Sequence, residues 1–89
     1  MGVTEDINWL KDDEEGVGKV FLLIAGKGSA RLRKLRELFG TEDWWPVKSH
    51  LRALVDRGLI TEIEGNYKLT ESGRKVLEGF KAMEYVKPV

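Results

Sequence analysis

Between Lys27 and Arg36 the chain carries five cations, Lys27, Arg31, Arg33, Lys34 and Arg36, and no acid. Such a run suits a polyanion, because each cation can sit against a phosphate and release its counterion. A solvated helix surface is the plainer use of the stretch, but the absence of interleaved acids favours a phosphate-contacting edge. Further on, Trp45, Ser49 and Arg52 fall on one helical face with Lys48 on its flank. Lysine, arginine and serine can donate to base edges or phosphates. Trp45 offers a flat ring and one donor, which suits a sugar or base and equally the centre of a protein interface.

Catalytic chemistry finds little to work with. His50 is the only histidine and cysteine is absent, which excludes disulfides, thiolate metal sites and cysteine nucleophiles. With no acid–base pair around it, His50 is expected to be structural or phosphate-facing. No enzymatic activity, metal or cofactor is expected. Gly26-Lys27-Gly28-Ser29 looks superficially like a phosphate loop, but the preceding glycine of G-x-x-x-x-G-K-[ST] is missing and no strand is expected before it. It reads as a helix end, a loop and a helix start.

These residues need elements to hold them. Asp43 is the expected N-cap of a helix whose first turn contains Pro46, where a missing N–H costs nothing. Val47, Leu51, Leu54 and Val55 form its buried stripe with Trp44 beside them. Gly58 closes it in the left-handed conformation, with Leu59 folding back onto Leu54. A β-hairpin follows, for which two registers compete. A Gly65-Asn66 loop puts Ile63 and Tyr67 on opposite faces, whereas a three-residue loop, Glu64-Gly65-Asn66, gathers Leu59, Thr61, Ile63, Tyr67 and Leu69 on one face. The three-residue loop is expected, with Gly65 or Asn66 at positive φ.

Upstream, Val17, Val20, Phe21 and Ile24 have the spacing of a buried helix face ended by Gly26, with Gly16 and Gly18 weakening its start. Ser29 is the expected cap of a second helix in which Leu32, Leu35 and Phe39 share a side and Gly40 closes. Thr70 caps a final helix with Val76, Leu77 and Phe80 inward, and Gly73 and Gly79 are its expected weak points. At the N-terminus, Thr4–Leu10 suits either a short helix capped by Thr4 with Ile7 and Leu10 inward, or a strand. Asp12 followed by Glu15 is a capping-box-like start.

At 89 residues the chain makes one domain, burying roughly 60–65% of its unfolded surface. Its longest apolar run, Val20–Ala25, is far short of the ~20 residues of a membrane span, and no secretion pattern opens the chain, so a cytoplasmic protein without membrane contact is expected. Glutamine is absent, asparagine occurs only at Asn8 and Asn66, and 34% of residues are charged, a mixture that thermophilic proteins tend towards. The net charge of zero is unevenly spread: residues 1–15 hold six acids against one lysine, and the remaining 74 hold fourteen cations against nine acids. An acidic leader precedes a basic domain.

Helix, loop, helix, turn, longer helix, hairpin, helix is the order of a winged helix-turn-helix domain. VFLLIAGKGSARLRKLRELFG, VKSHLRALVDRGLI and YKLTESGRKVL resemble the winged helix modules of bacterial and archaeal transcription regulators. The residues that carry this are His50-Leu51, Leu54, Gly58-Leu59-Ile60 and Leu69-Thr70-x-x-Gly73. The resemblance covers about residues 16–80. It implies a mainly α fold with a small β-hairpin: a three-helix core, a wing and a C-terminal helix over 16–84, between a leader at 1–15 and a tail at 85–89.

It also implies a protein that binds double-stranded DNA, as a transcription regulator, with helix 44–57 in the major groove. Trp45, Lys48, Ser49 and Arg52 would face that groove, Arg31, Arg33 and Lys34 would lie near phosphates, and Lys68 would be the wing's cation. The wing departs from the DNA-binding pattern in holding Glu62 and Glu64. The alternative is a winged helix that docks a protein through Trp45 without DNA binding. Phe80, Met83, Tyr85 and Val86 exceed what one small core needs, so they are expected either to pack against the first helix or the N-terminal segment or to build a homodimer through the terminal helices. The acidic leader could lie over the basic face and weaken DNA binding.

Overall fold

The computed structural model describes residues 2–85 as five helices and three strands. In chain order these are α1 (Val3–Asp12), α2 (Val17–Lys27), β1 (Ser29–Arg31), α3 (Leu32–Phe39), α4 (Trp44–Asp56), β2 (Ile60–Ile63), β3 (Asn66–Leu69) and α5 (Glu71–Tyr85). The mainly helical fold class stands, with a three-stranded antiparallel sheet, ordered β1-β3-β2, where only a hairpin was expected. Among the described residues no helix is long and apolar enough to cross a membrane. The tail beyond Tyr85 and the side chains of Met83 and Tyr85 lie outside the described residues.

The core forms where the apolar stripes converge. Val17, Val20, Phe21 and Ile24 of α2 meet Leu35 of α3, Val47, Leu51 and Leu54 of α4, and Val76 and Phe80 of α5, all buried. The segment left open between helix and strand is α1, whose N-cap position falls at Gly2 and not at Thr4, with Ile7 and Leu10 in the same cluster. It packs against α5 and α2. Asp6 is buried there and accepts from Arg57 Nη1 at 2.8 Å, while that guanidinium lies 4.1 Å from the Trp9 ring. The charge on the one is matched by the other, which is the condition for burying a carboxylate. The N-terminal acidic segment is thus anchored in the core.

Helix boundaries differ from the sequence reading wherever tertiary pairing intervenes. α2 runs through Gly26 to Lys27 and ends at Gly28, whose φ of 81° only glycine adopts without strain and whose N–H reaches the Ile24 carbonyl. Asp12 ends α1 instead of starting α2; it is the Asp13 carboxylate that accepts from Val17 N–H, at 3.2 Å. Ser29 does not cap α3. It pairs with Lys68 in β1, and α3 begins after Arg31 with no capping side chain. The ladder to β3 engages residues 29–31 and so holds Ser29 in a strand, two residues ahead of the N-cap position at Arg31. Asp43 does hold the N-cap position of α4, but its carboxylate makes no cap bond and its own N–H donates to Thr41 Oγ1.

The far end of α4 is as expected. Leu59 N–H bonds to the Leu54 carbonyl and Gly58 N–H to that of Val55, the paired bonds of a Schellman cap. Two members of the predicted buried stripe are not buried, however: Trp44 is 39% and Val55 41% exposed. Trp44 begins the helix, ahead of its first buried residue Val47, and Val55 turns to the open side with Arg52 and Asp56 while Leu54 beside it is fully buried. Trp44 is covered on one face by the Arg36 guanidinium, 4.1 Å from its ring.

The hairpin turns through two residues, Glu64 and Gly65, both at positive φ, with Ile63 opposite Asn66. This overturns the three-residue loop. Glu62 faces Tyr67 and Ile60 faces Leu69, so Tyr67 and Leu69 share the inner face with Ile60, not with Leu59, Thr61 and Ile63. Ile63 is 49% exposed on the outer face. The deciding term is β1, which places Ala30 opposite Tyr67 and buries that face from the other edge.

Candidate nucleic-acid interface

α4 presents to solvent the face that its buried stripe leaves over. Trp45, Lys48, Ser49 and Arg52 all line one open groove of about 740 Å³, bounded also by Leu32 at the start of α3 and by Glu62 and Tyr67 on the inner face of the sheet. Trp45 is 77% exposed. The side chain lies in the first turn of α4, ahead of the residues that anchor the helix. The four α4 residues singled out from sequence are therefore brought together on one concave surface.

The other four fall into two groups outside that groove. Arg33 and Lys34 are exposed in the first turn of α3. Arg31 and Lys68 lie on the outer face of the sheet, since their neighbours in the ladder, Ala30 and Tyr67, point inward. The Arg31 guanidinium reaches the hairpin turn, where a Cβ built on Gly65 would lie 3.2 Å from Nη1. The wing, which by sequence holds two glutamates and Lys68, thus also gains a cation from β1. Among the described residues none of Arg33, Lys34, Lys48 and Arg52 forms an ion pair.

Arg36, the last cation of the basic stretch, is engaged within the fold. Its Nη1 donates to the Glu42 carbonyl at 3.0 Å while it covers Trp44. His50 is half-buried, with its ring 5.8 Å from that of Phe39 and tilted 47° to it, a packing role. Among the described residues no group of three or more histidines and carboxylates could hold a metal ion.

Sequence reasoning missed the sheet side of the groove. Glu62 and Tyr67 are direct cross-strand partners, and the phenol's pKa is raised above its ordinary value, first by burial and then by the charge and hydrogen bond of the Glu62 carboxylate. Leu32 and Asp56 also line the groove, as does Val55, whose helical angle alone predicts burial. The correct hairpin register was the one signal that would have placed Tyr67 and Glu62 together.

In comparison with known protein families, residues 42–87, covering α4, the hairpin and α5, match the family model described as winged helix-turn-helix. No curated protein and no solved structure matches the chain.

Proposed function

Because the chain belongs to the winged helix-turn-helix family, whose members generally bind DNA, we propose that it is a DNA-binding protein, a small transcription regulator that presents α4 to the major groove. The observation that carries this reading is the concave outer face of α4, with Lys48 and Arg52 beside Trp45 and Ser49, flanked by Arg33 and Lys34 on α3. These four cations have no acidic partner among the described residues and can neutralise phosphates. In this arrangement Arg52 and Lys48 contact base edges or phosphates, and Arg31, Arg33, Lys34 and Lys68 supply electrostatic positioning. No catalytic step is involved.

The test is fluorescence anisotropy of a labelled random-sequence duplex. Affinity is expected to fall roughly 100-fold or more between about 50 and about 200 mM salt, as several phosphate contacts require. An Arg31/Arg33/Lys34→Ala variant should bind roughly tenfold or more weakly at the lower salt, with a shallower salt dependence. Unchanged affinity in a folded triple variant would remove those three residues from the interface.

A second reading, a protein-docking module centred on Trp45, is favoured by the exposure of that ring and by the carboxylates of Asp56 and Glu62 along the groove. Absence of duplex binding at either salt would leave it as the better account. Under either reading a homodimer through the terminal helices is proposed as well, with an interface that does not include Phe80, which is buried in the core cluster. Sedimentation velocity checks it: a single 10.1 kDa species at high protein concentration rules the dimer out.

A further inference from the structure

Resting on the DNA-binding reading, we propose that the groove between α4 and the inner face of the sheet receives an unpaired nucleotide, so that the preferred ligand is a duplex carrying an extrahelical base. Trp45 leads to this. A helix built only to read an intact major groove has little use for an indole there, since the ring offers one donor and cannot pair with a base edge. A largely exposed indole does match the face of an unstacked base, whatever its identity.

The rest of the lining fits the same occupant. Tyr67 and Leu32 supply apolar walls, and the groove is several times larger than a nucleobase. Its polar groups carry both signs: Arg52 and Ser49 donate, and Glu62 and Asp56 accept. Carboxylates are misplaced against phosphates, but they suit the amino and imino N–H groups that an unpaired base exposes on its pairing edge. Glu62 stands directly across the strands from Tyr67, on the same face of the sheet. Arg33 and Lys34, which form no ion pair among the described residues, stand outside the groove, where the flanking backbone would pass.

The experiment compares two labelled DNA hairpins of one sequence, one fully paired and one with a single extrahelical cytosine, by anisotropy at low salt. The bulged hairpin is expected to bind roughly 5- to 100-fold more tightly, the range of one base stacked on an aromatic side chain. Trp45→Ala should abolish that preference, so that the bulged hairpin loses at least about fivefold more affinity than the paired one, and Trp45→Phe should retain part of it. The exposure of Trp45 makes these variants foldable, and circular dichroism verifies it. Equal binding of both hairpins by the parent protein overturns this inference and leaves duplex binding intact. Equal weakening of both in Trp45→Ala also overturns it, making Trp45 an ordinary duplex contact. Failure to bind either hairpin overturns the inference and the DNA-binding reading together.

Discussion

Gly73→Ala is expected to destabilise the protein by about 3 kcal/mol, even though alanine is the better helix former by about 1 kcal/mol. A Cβ at Gly73 would overlap the backbone carbonyl oxygen of Leu59, a group that cannot swing aside as a side-chain tip would. That carbonyl already accepts from Thr70 N–H at 3.0 Å, and the Thr70 hydroxyl accepts from Gly73 N–H at 3.0 Å while donating to the Gly58 carbonyl. The first turn of α5 is therefore seated directly on the C-cap of α4 and the base of the wing. Pushing it away strains these bonds, each worth about 1 kcal/mol. Chemical denaturation measures the effect, and a thermal midpoint lower by roughly 12–24 °C accompanies it at this chain length. Gly26→Ala is the control: that glycine lies inside α2 with open space around it, and the substitution should stabilise by about 0.5–1 kcal/mol. A Gly73→Ala protein as stable as the parent would mean that α5 is not docked in this way.

Phe21→Ala should cost about 3–5 kcal/mol, a large fraction of the 5–15 kcal/mol that a domain of this kind has in total. Phe21 is fully buried, the largest such side chain among the described residues, and sits on the helix that α1, α3 and α4 all pack against. Removing the ring leaves a cavity that several elements would have to close at once, so relaxation recovers little. Its neighbour Leu22, 40% exposed, points away from the core, and Leu22→Ala should stay below about 1 kcal/mol. Equilibrium urea unfolding of both variants separates the two cases. A Phe21→Ala cost near that of Leu22→Ala would contradict the observed core.

Gly73 and Gly79 illustrate the limit of local reasoning. By propensity both are weak points of a helix. In the fold they are sites of close approach, since a Cβ on Gly79 would lie 2.6 Å from Ile7 Cδ1 of α1. The motif Leu69-Thr70-x-x-Gly73 was legible as a pattern, but its cause, the Leu59 carbonyl, is a tertiary neighbour. The candidate site divides in the same way. Trp45, Lys48, Ser49 and Arg52 could be grouped from helical angle alone because one helix carries them all. Glu62 and Tyr67 could not, because their place depends on strand register.

The sequence by itself determined the apolar stripes of the four core helices, apart from Trp44 and Val55 on α4, together with the Schellman closure at Gly58 and Leu59, the Thr70 cap and the exposed α4 face. All of these rest on interactions within a few residues, where periodicity and capping chemistry are strong. Only the tertiary structure decided that Ser29–Arg31 is a strand, that the wing turns at Glu64-Gly65, that Arg36 is spent on Trp44 and that Arg31 reaches the wing tip. A three-residue strand has no readable period, and its partner β3 lies more than thirty residues away in the chain. The free energy that selects it comes from burying Ala30 and Tyr67 against each other and from hydrogen bonds that exist only after the chain has folded back.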